Sequence, residues 1–178
     1  MTATMTRGRV GIIAVVAAIA VVVAAYAVTR SSGDSAAIKA AKTATKPFAQ
    51  LSAADAAGYK ILADKDGVTC IKDASGAGAM GTHFVKGALV GDGLIDASHP
   101  EALLYDRAHN DKLMGVEYVV LFKDWKGAQP PTLFGQKFNA TTQPNRFGLP
   151  PYYSLHAWLW QDNPAGKFAS WNPRVDCP

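Results

Sequence analysis

Residues 113–122 have the sequence LMGVEYVVLF, in which a single charge, Glu117, interrupts an apolar run. Valine, tyrosine and phenylalanine are frequent in strands, so this stretch is predicted to be a β-strand. The preceding residues 103–106, LLYD, predict a second strand. Between them lies RAHND, residues 107–111, whose composition is typical of a hairpin loop. The pair is therefore expected to form an antiparallel hairpin.

Further strands are predicted on both sides of this hairpin, where Gly, Pro, Asn and Asp bound short runs of strand-forming residues. They cover residues 68–71, 79–85 and 153–160, and the Pro-rich loop 129–151 contains one more at 133–138. Strands this close in sequence, with no long crossover helices, should pair antiparallel. The fold class is therefore α+β with a mainly antiparallel sheet, which is either open or curled into a small barrel.

Residues before the first strand predict a short helix and a spacer. Ser52 suits a helix start and Gly58 a helix stop, which places the short N-terminal helix at residues 53–57. Residues 31–46 are small and polar, with Ile38 as their one large apolar side chain, and predict a flexible spacer. One globular domain is accordingly expected over residues 47–178.

The first 30 residues predict a separate membrane-inserting helix. Residues 10–29 are uncharged and lie between Arg9 and Arg30, and as a helix they would span about 30 Å, the thickness of a bilayer's hydrocarbon core. Basic residues before the segment favour an extracytoplasmic location for the domain. The small residues around Ala27 equally permit a signal peptide that is cleaved there, so retention and secretion both remain open. The membrane is the one partner that this segment implies.

Charge is concentrated at the N-terminus. The chain carries a formal net charge of +4, but fifteen basic residues face fourteen acidic ones after Arg30. A nucleic-acid-binding domain needs a clustered cationic surface that displaces counterions from phosphates. The sequence contains no long basic run, so no nucleic-acid partner is predicted.

The two cysteines of the chain, Cys70 and Cys177, both lie in the part predicted to be exported. In an oxidising compartment they should form a disulfide bond that ties the C-terminus to the sheet. A redox-active dithiol usually has closer spacing, such as Cys-x-x-Cys.

Three titratable residues lie on predicted strands with apolar neighbours on the same face: His83, Glu117 and His156. Burying one of these groups without a polar partner would cost roughly several kcal/mol, so we expect the three side chains to contact one another. Two imidazoles and a carboxylate are a suitable ligand set for Zn(II) or Fe(II). Alternatively, the histidines are separately hydrogen-bonded and Glu117 pairs with a Lys or Arg. Strand alternation places Met80 on the opposite face from His83.

Other residues support different functions. A metal with an open coordination position would permit hydrolysis or oxygen chemistry, and Glu101 is the candidate for an additional catalytic acid or base. Trp158 and Trp160 could instead form an aromatic wall that binds a ligand in a non-enzymatic extracytoplasmic module. A structural envelope protein is a third interpretation, so whether the chain is an enzyme stays open.

Several segments together resemble a family of uncharacterised exported bacterial proteins. They are GAMGTHF at 78–84, PEALLY at 100–105, GVEY at 115–118, LHAW at 155–158, and an ending that runs from NPAG at 163–166 to Cys177. Phe84 stands where the family pattern has Tyr, and Lys167 and Ser170 replace Met and Asp. The resemblance covers roughly residues 56–177 and implies export, without an established activity.

Overall fold

An antiparallel sheet forms the body of the protein in the computed structural model, which describes residues 34–177. Four helical segments accompany it: α1 at residues 34–45, a 3-10 turn at Lys46–Ala49, α2 at Leu51–Ala56 and α3 at Gly87–Val90. The strands are β1 (Lys60–Ile61), β2 (Cys70–Lys72), β3 (Ala79–Val85), β4 (Ala102–Asp106), β5 (Lys112–Leu121), β6 (Thr132–Leu133), β7 (Gln136–Lys137), β8 (Asn139–Thr141) and β9 (Tyr152–Ala157).

The main sheet has the strand order β1-β3-β4-β5-β9-β8, and β2 pairs with β3 beside β1. Every pairing is antiparallel, which confirms the α+β prediction. Within residues 34–177 the sheet is open, so the small barrel proposed as an alternative is not formed. Strand β8 ends one side and the short β1 and β2 end the other.

The hairpin between β4 and β5 has the predicted loop. Asn110 and Asp111 adopt φ values of 57° and 53°, a left-handed conformation that Asn and Asp tolerate better than most residues. The carboxylate of Asp106 accepts a hydrogen bond from the backbone N–H of Ala108 and contacts Nδ1 of His109 at 2.8 Å. Local turn chemistry therefore fixes the register of the two central strands.

Two predicted strands differ most from the observed ones. Residues 133–138 form a hairpin instead of one strand, because Phe134 and Gly135, with φ of 54° and 70°, turn the chain between β6 and β7. The last strand stops at Ala157, since the next backbone N–H, that of Trp158, bonds to Lys167. The predicted short helix is present as α2, but it begins at Leu51, so Ser52 lies inside it and Gln50 is the N-cap. Gly58 follows the helix with φ of 90°.

The expected spacer is largely a helix, because residues 34–45 form α1. Ala41 and Thr45 are fully buried, and Ile38 packs against the core. Alanine is the strongest helix former, and its small side chain lets the helix lie close to the sheet. The spacer prediction was wrong because it counted only large apolar residues. The predicted anchor or signal peptide, residues 1–30, lies outside the described residues.

The core divides between the two faces of the sheet. One face packs under α1 and α2 and contains Phe84, Leu103, Tyr105 and Tyr118. On the other face a smaller cluster is centred on Leu104, Met114 and Trp158, and the C-terminal tail covers it through Val175 and Cys177. The same face carries a cavity beside this cluster.

The tail is attached to β2 and β3. Asn172 exchanges backbone hydrogen bonds with Ala79 on β3. A disulfide bond joins Cys70 to Cys177, with their Cα atoms 5.6 Å apart. This confirms the predicted cysteine pairing and holds the tail against the face that carries the cavity.

Candidate metal centre

His83, Glu117 and His156 converge on one face of the sheet, as the strand alternation predicts. Glu117 on β5 lies directly opposite His156 on β9. His83 is on β3, and β4 separates it from Glu117, but the residue opposite Glu117 on β4 is Ala102. Because Ala102 carries only a methyl group, the side chains of His83 and Glu117 can meet above it.

Two of the three distances within this group match those between metal ligands. One ligand atom from each residue can be chosen so that all three lie within 4.8 Å of one another. Nε2 of His83 is 3.3 Å from Nε2 of His156 and 3.3 Å from Oε2 of Glu117. With bonds of about 2.0 to 2.1 Å and tetrahedral angles, ligand atoms around Zn(II) lie about 3.3 to 3.4 Å apart. These two distances therefore suit a shared cation.

The protonation states of the three residues also favour metal binding. His83, Glu117 and His156 are only 3%, 9% and 4% exposed. Burial lowers the pKa of His156, which keeps its imidazole neutral at pH 7. Burial alone would raise the pKa of Glu117, but the neighbouring imidazoles of His156 and His83 and the Ser154 hydroxyl outweigh it and hold that pKa below its usual range. A neutral imidazole and a carboxylate are the forms that bind metals.

The two imidazoles differ in how they are oriented. The ring of His156 stacks against that of Trp158, with centroids 6.4 Å apart, and its Nδ1 is 3.6 Å from Oε1 of Glu117. Nδ1 of His83 is buried without a hydrogen-bond partner among the described residues. The orientation of His83 therefore depends on its Nε2 contacts and on its place in β3.

A cavity of about 480 Å³ adjoins the three residues. Its wall is polar and aromatic; besides the triad it is lined by Ile71, Met80, Asn139, Thr141, Asn145, Arg146, Phe147, Tyr152, Ser154, Ser170 and Trp171. Most of these side chains come from β8, β9, the tail and the segment between β8 and β9. The triad thus faces a space that a small molecule can enter.

The segment between β8 and β9 is held over the cavity by specific bonds. Arg146 donates through Nη2 to Oδ2 of the buried Asp64 at 3.1 Å, and its carbonyl accepts from the backbone N–H of Lys65. Asn145 donates to the carbonyl of Leu149 at 2.8 Å. These bonds position Phe147 in the cavity wall.

Met80 lines the cavity, although strand alternation predicted the opposite face. Ile71 on β2 is paired with Gly81 and Lys72 with Ala79, so Met80 is an extra residue on β3. Gly81 has φ of 80° at this β-bulge, and a bulge changes the direction of the side chains around it. The alternation rule fails here because the strand is locally irregular.

Glu101 does not line the cavity. It is 1% exposed, and its Oε2 accepts a hydrogen bond from the backbone N–H of Val119 at 2.9 Å. Burial raises the pKa of Glu101 to about 8. This hydrogen bond to Val119 lies at the end of the β4–β5 pairing, so the role of Glu101 is structural. The geometry gives no support to the prediction that Glu101 is a catalytic acid or base.

Glu101 predicts a pH dependence of stability. An acid whose pKa is higher in the folded state stabilises the fold fully below its unfolded pKa, so stability should fall as the pH rises from about 4.5 to about 8. In the wild type we expect this fall in unfolding free energy to be on the order of a few kcal/mol. The variant Glu101→Gln should not show it. Urea unfolding at pH 5 and pH 8 measures it, with Asp66→Asn as the exposed control. Equal pH dependence in wild type and Glu101→Gln would contradict this.

Of the two tryptophans proposed as a ligand wall, Trp158 is part of the packed interior and Trp160 is half-buried. Trp158 is 3% exposed and donates through Nε1 to the carbonyl of Ala169. Trp160 packs against the core on the face that the helices cover, and its Nε1 is 3.3 Å from Oγ1 of Thr45. Neither residue lines the cavity next to the triad. The aromatic side chains at that cavity are Phe147, Tyr152 and Trp171.

Several residues of the cavity wall were not predicted. Tyr152 and Ser154 share a face with His156, so alternation along β9 could have identified them. Asn145, Arg146 and Phe147 lie in an irregular segment, where no period relates sequence position to direction. The remaining histidines, His99 and His109, are exposed and pair with Asp96 and Asp106 away from the triad.

Comparison with known proteins identifies no relative: no family model, no curated protein and no solved structure matches the chain. The resemblance to exported bacterial proteins therefore stays a prediction. Among residues 34–177, no helix is long and apolar enough to cross a membrane.

Proposed function

We propose that this protein binds one divalent transition-metal ion through His83, Glu117 and His156. The convergence of the three buried side chains, with ligand atoms within 4.8 Å of one another, carries this conclusion. A histidine pair that only shared a hydrogen bond would not need a carboxylate in contact with both rings. Each ring has a nitrogen within 3.6 Å of a Glu117 oxygen.

The ligand set favours Zn(II) or Fe(II). Two imidazole nitrogens and one carboxylate oxygen suit these ions, whereas Mg(II) prefers oxygen ligands and retains several waters. Three protein ligands leave at least one coordination position for another molecule. The cavity of about 480 Å³ supplies the space for it. A metal bound there would supply Lewis-acid chemistry to a small molecule.

We further propose that this site operates outside the cytoplasm. The Cys70–Cys177 disulfide bond supports this location, because such bonds persist in oxidising compartments. The uncharged residues 10–29, flanked by arginines, support an anchor or a cleaved leader as the means of export.

Metal analysis tests the site directly. We expect wild-type protein, stripped and reloaded with Zn(II), to retain one metal ion per chain after gel filtration. His156→Ala should bind at least about 100-fold more weakly, since loss of a supporting residue alone typically costs 10- to 100-fold. Elemental analysis gives the stoichiometry, and Co(II) absorption spectra report the coordination.

His109→Ala is the matched control, because His109 is exposed and outside the triad. It should bind metal as the wild type does. Near-ultraviolet circular dichroism checks that both variants are folded. Equal metal content in wild type and His156→Ala, or no retained metal in folded wild type, would overturn the proposal.

A further inference from the structure

A second chamber adjoins the candidate metal centre. It has a volume of about 200 Å³ and shares His83, Glu117, Phe147 and Tyr152 with the larger cavity. Because His83 and Glu117 line both spaces, a metal held by the triad would lie at their junction. A ligand bound to that metal can therefore extend into either one.

The smaller chamber is apolar. Its remaining wall is formed mainly by the aliphatic side chains of Leu62, Val85, Val90, Val119 and Leu149. These come from β3, β5, α3 and two loops, so the chamber is built by distant parts of the chain. Its surface has little to offer a charged or hydrogen-bonding group and favours a hydrocarbon group.

The size of the chamber limits that group. An apolar cavity of about 150 Å³ in another protein holds one benzene molecule. The chamber of about 200 Å³ is large enough for a phenyl ring or a branched aliphatic group of similar size. A long acyl chain would not fit inside it.

The charges around the site indicate the chemistry of the other end of the ligand. Arg146 is the one cationic side chain among the described residues that line the larger cavity, and it is paired with the buried carboxylate of Asp64. Glu117 neutralises only one of the two positive charges of a bound divalent ion. The ion would therefore attract an anionic oxygen donor more strongly than the arginine would.

We propose that the site takes a small monocarboxylate with a phenyl-sized apolar group. The carboxylate binds the metal held by His83, Glu117 and His156, and the apolar group occupies the chamber beside Val90 and Val119. This assignment rests on the metal binding proposed above. In this assignment the metal lies between the two chambers, and the smaller chamber holds the apolar group of the ligand.

Competition between two simple carboxylates tests the assignment. The full chain is loaded with Co(II), and acetate and benzoate are titrated while the Co(II) absorption spectrum is followed. We expect benzoate to bind 10- to 100-fold more tightly than acetate, because only benzoate places an apolar group in the chamber. Protein without metal should bind neither carboxylate.

Val90→Phe adds an aromatic ring to the chamber wall at a half-buried position that is not a metal ligand. In this variant the preference for benzoate over acetate should fall to about twofold or less. Val68→Phe is the matched control, since Val68 is 43% exposed and does not line the chamber. It should keep the full preference.

The results separate the two proposals. Co(II) binding by the triad with equal affinities for acetate and benzoate would overturn the ligand assignment and leave metal binding intact. An undiminished benzoate preference in Val90→Phe, or benzoate binding without metal, would also overturn the assignment. Failure of the triad to bind Co(II) would overturn both proposals.

Discussion

Zn(II) at about 1,000 times its dissociation constant should raise the free energy of unfolding by about 4 kcal/mol. For a domain of this size the melting temperature should rise by roughly 10 to 15 °C. The reason is that the ligands come from β3, β5 and β9, and His83 and His156 are 73 positions apart in sequence. They meet only in the folded chain, so a metal bound to all three stabilises that state. Differential scanning calorimetry at several Zn(II) concentrations measures the shift.

The variant His83→Ala should lose this shift, because it removes one of the three ligands. His99→Ala should keep it, since His99 is exposed and pairs with Asp96 at the surface. Mg(II) should produce little stabilisation, because the triad offers it only one carboxylate. The same Zn(II) shift in His83→Ala as in wild type would mean that the stabilising ion binds elsewhere.

The convergence of the triad was predictable because the strands concerned are regular at those positions. Side chains alternate along a strand, so Glu117 and His156 could be assigned to the same kind of face from their neighbours alone. The register then places them directly opposite each other. Burial of three titratable groups supplied the reason for them to meet, and that reason does not depend on the exact strand order.

The details that failed are those set by local irregularity. An extra residue on β3 at Met80, and another on β5 at Met114, interrupt the alternation where the register shifts. A sequence shows a glycine such as Gly81, but it does not show whether a bulge forms there. Residues 142–151 of the cavity wall were not predicted for a similar reason, because long-range bonds such as Arg146–Asp64 position them.

Helix α1 was missed for a different reason. Its sequence has few large apolar residues, and composition alone therefore predicted a spacer. Alanine buries little area, but Ala41 fits against the core because it is small, and Thr45 satisfies its own hydroxyl by donating to the carbonyl of Ala41 at 2.7 Å. Close packing of small side chains is a tertiary property that hydrophobic content does not measure.

The double variant Cys70→Ser/Cys177→Ser should lose about 2 to 5 kcal/mol of unfolding free energy. The bridge closes a loop of 107 positions, for which the chain-entropy model gives roughly 4.7 kcal/mol. It also holds Val175 and Cys177 against the cluster around Leu104 and Met114. Urea unfolding of the nonreduced proteins measures the difference.

Metal stoichiometry should remain at one in this double variant. The tail supplies Ser170 and Trp171 to the cavity wall, but the three ligands lie on β3, β5 and β9, within the sheet. Loss of stability with retained metal would therefore separate the structural role of the tail from the role of the triad. Loss of both in a protein that remains folded would mean that the tail positions the ligands.

Asp176→Asn is the matched control for the bridge, because it changes the same tail without touching the disulfide. Asp176 pairs with Lys72 at 2.7 Å, but both side chains are exposed, and exposed ion pairs contribute little to stability. Mass mapping of nonreduced protein from the cell envelope should recover the peptides of Cys70 and Cys177 joined. A double variant as stable as Asp176→Asn, or two free thiols in the recovered protein, would show that the bridge does not hold the tail in the cell.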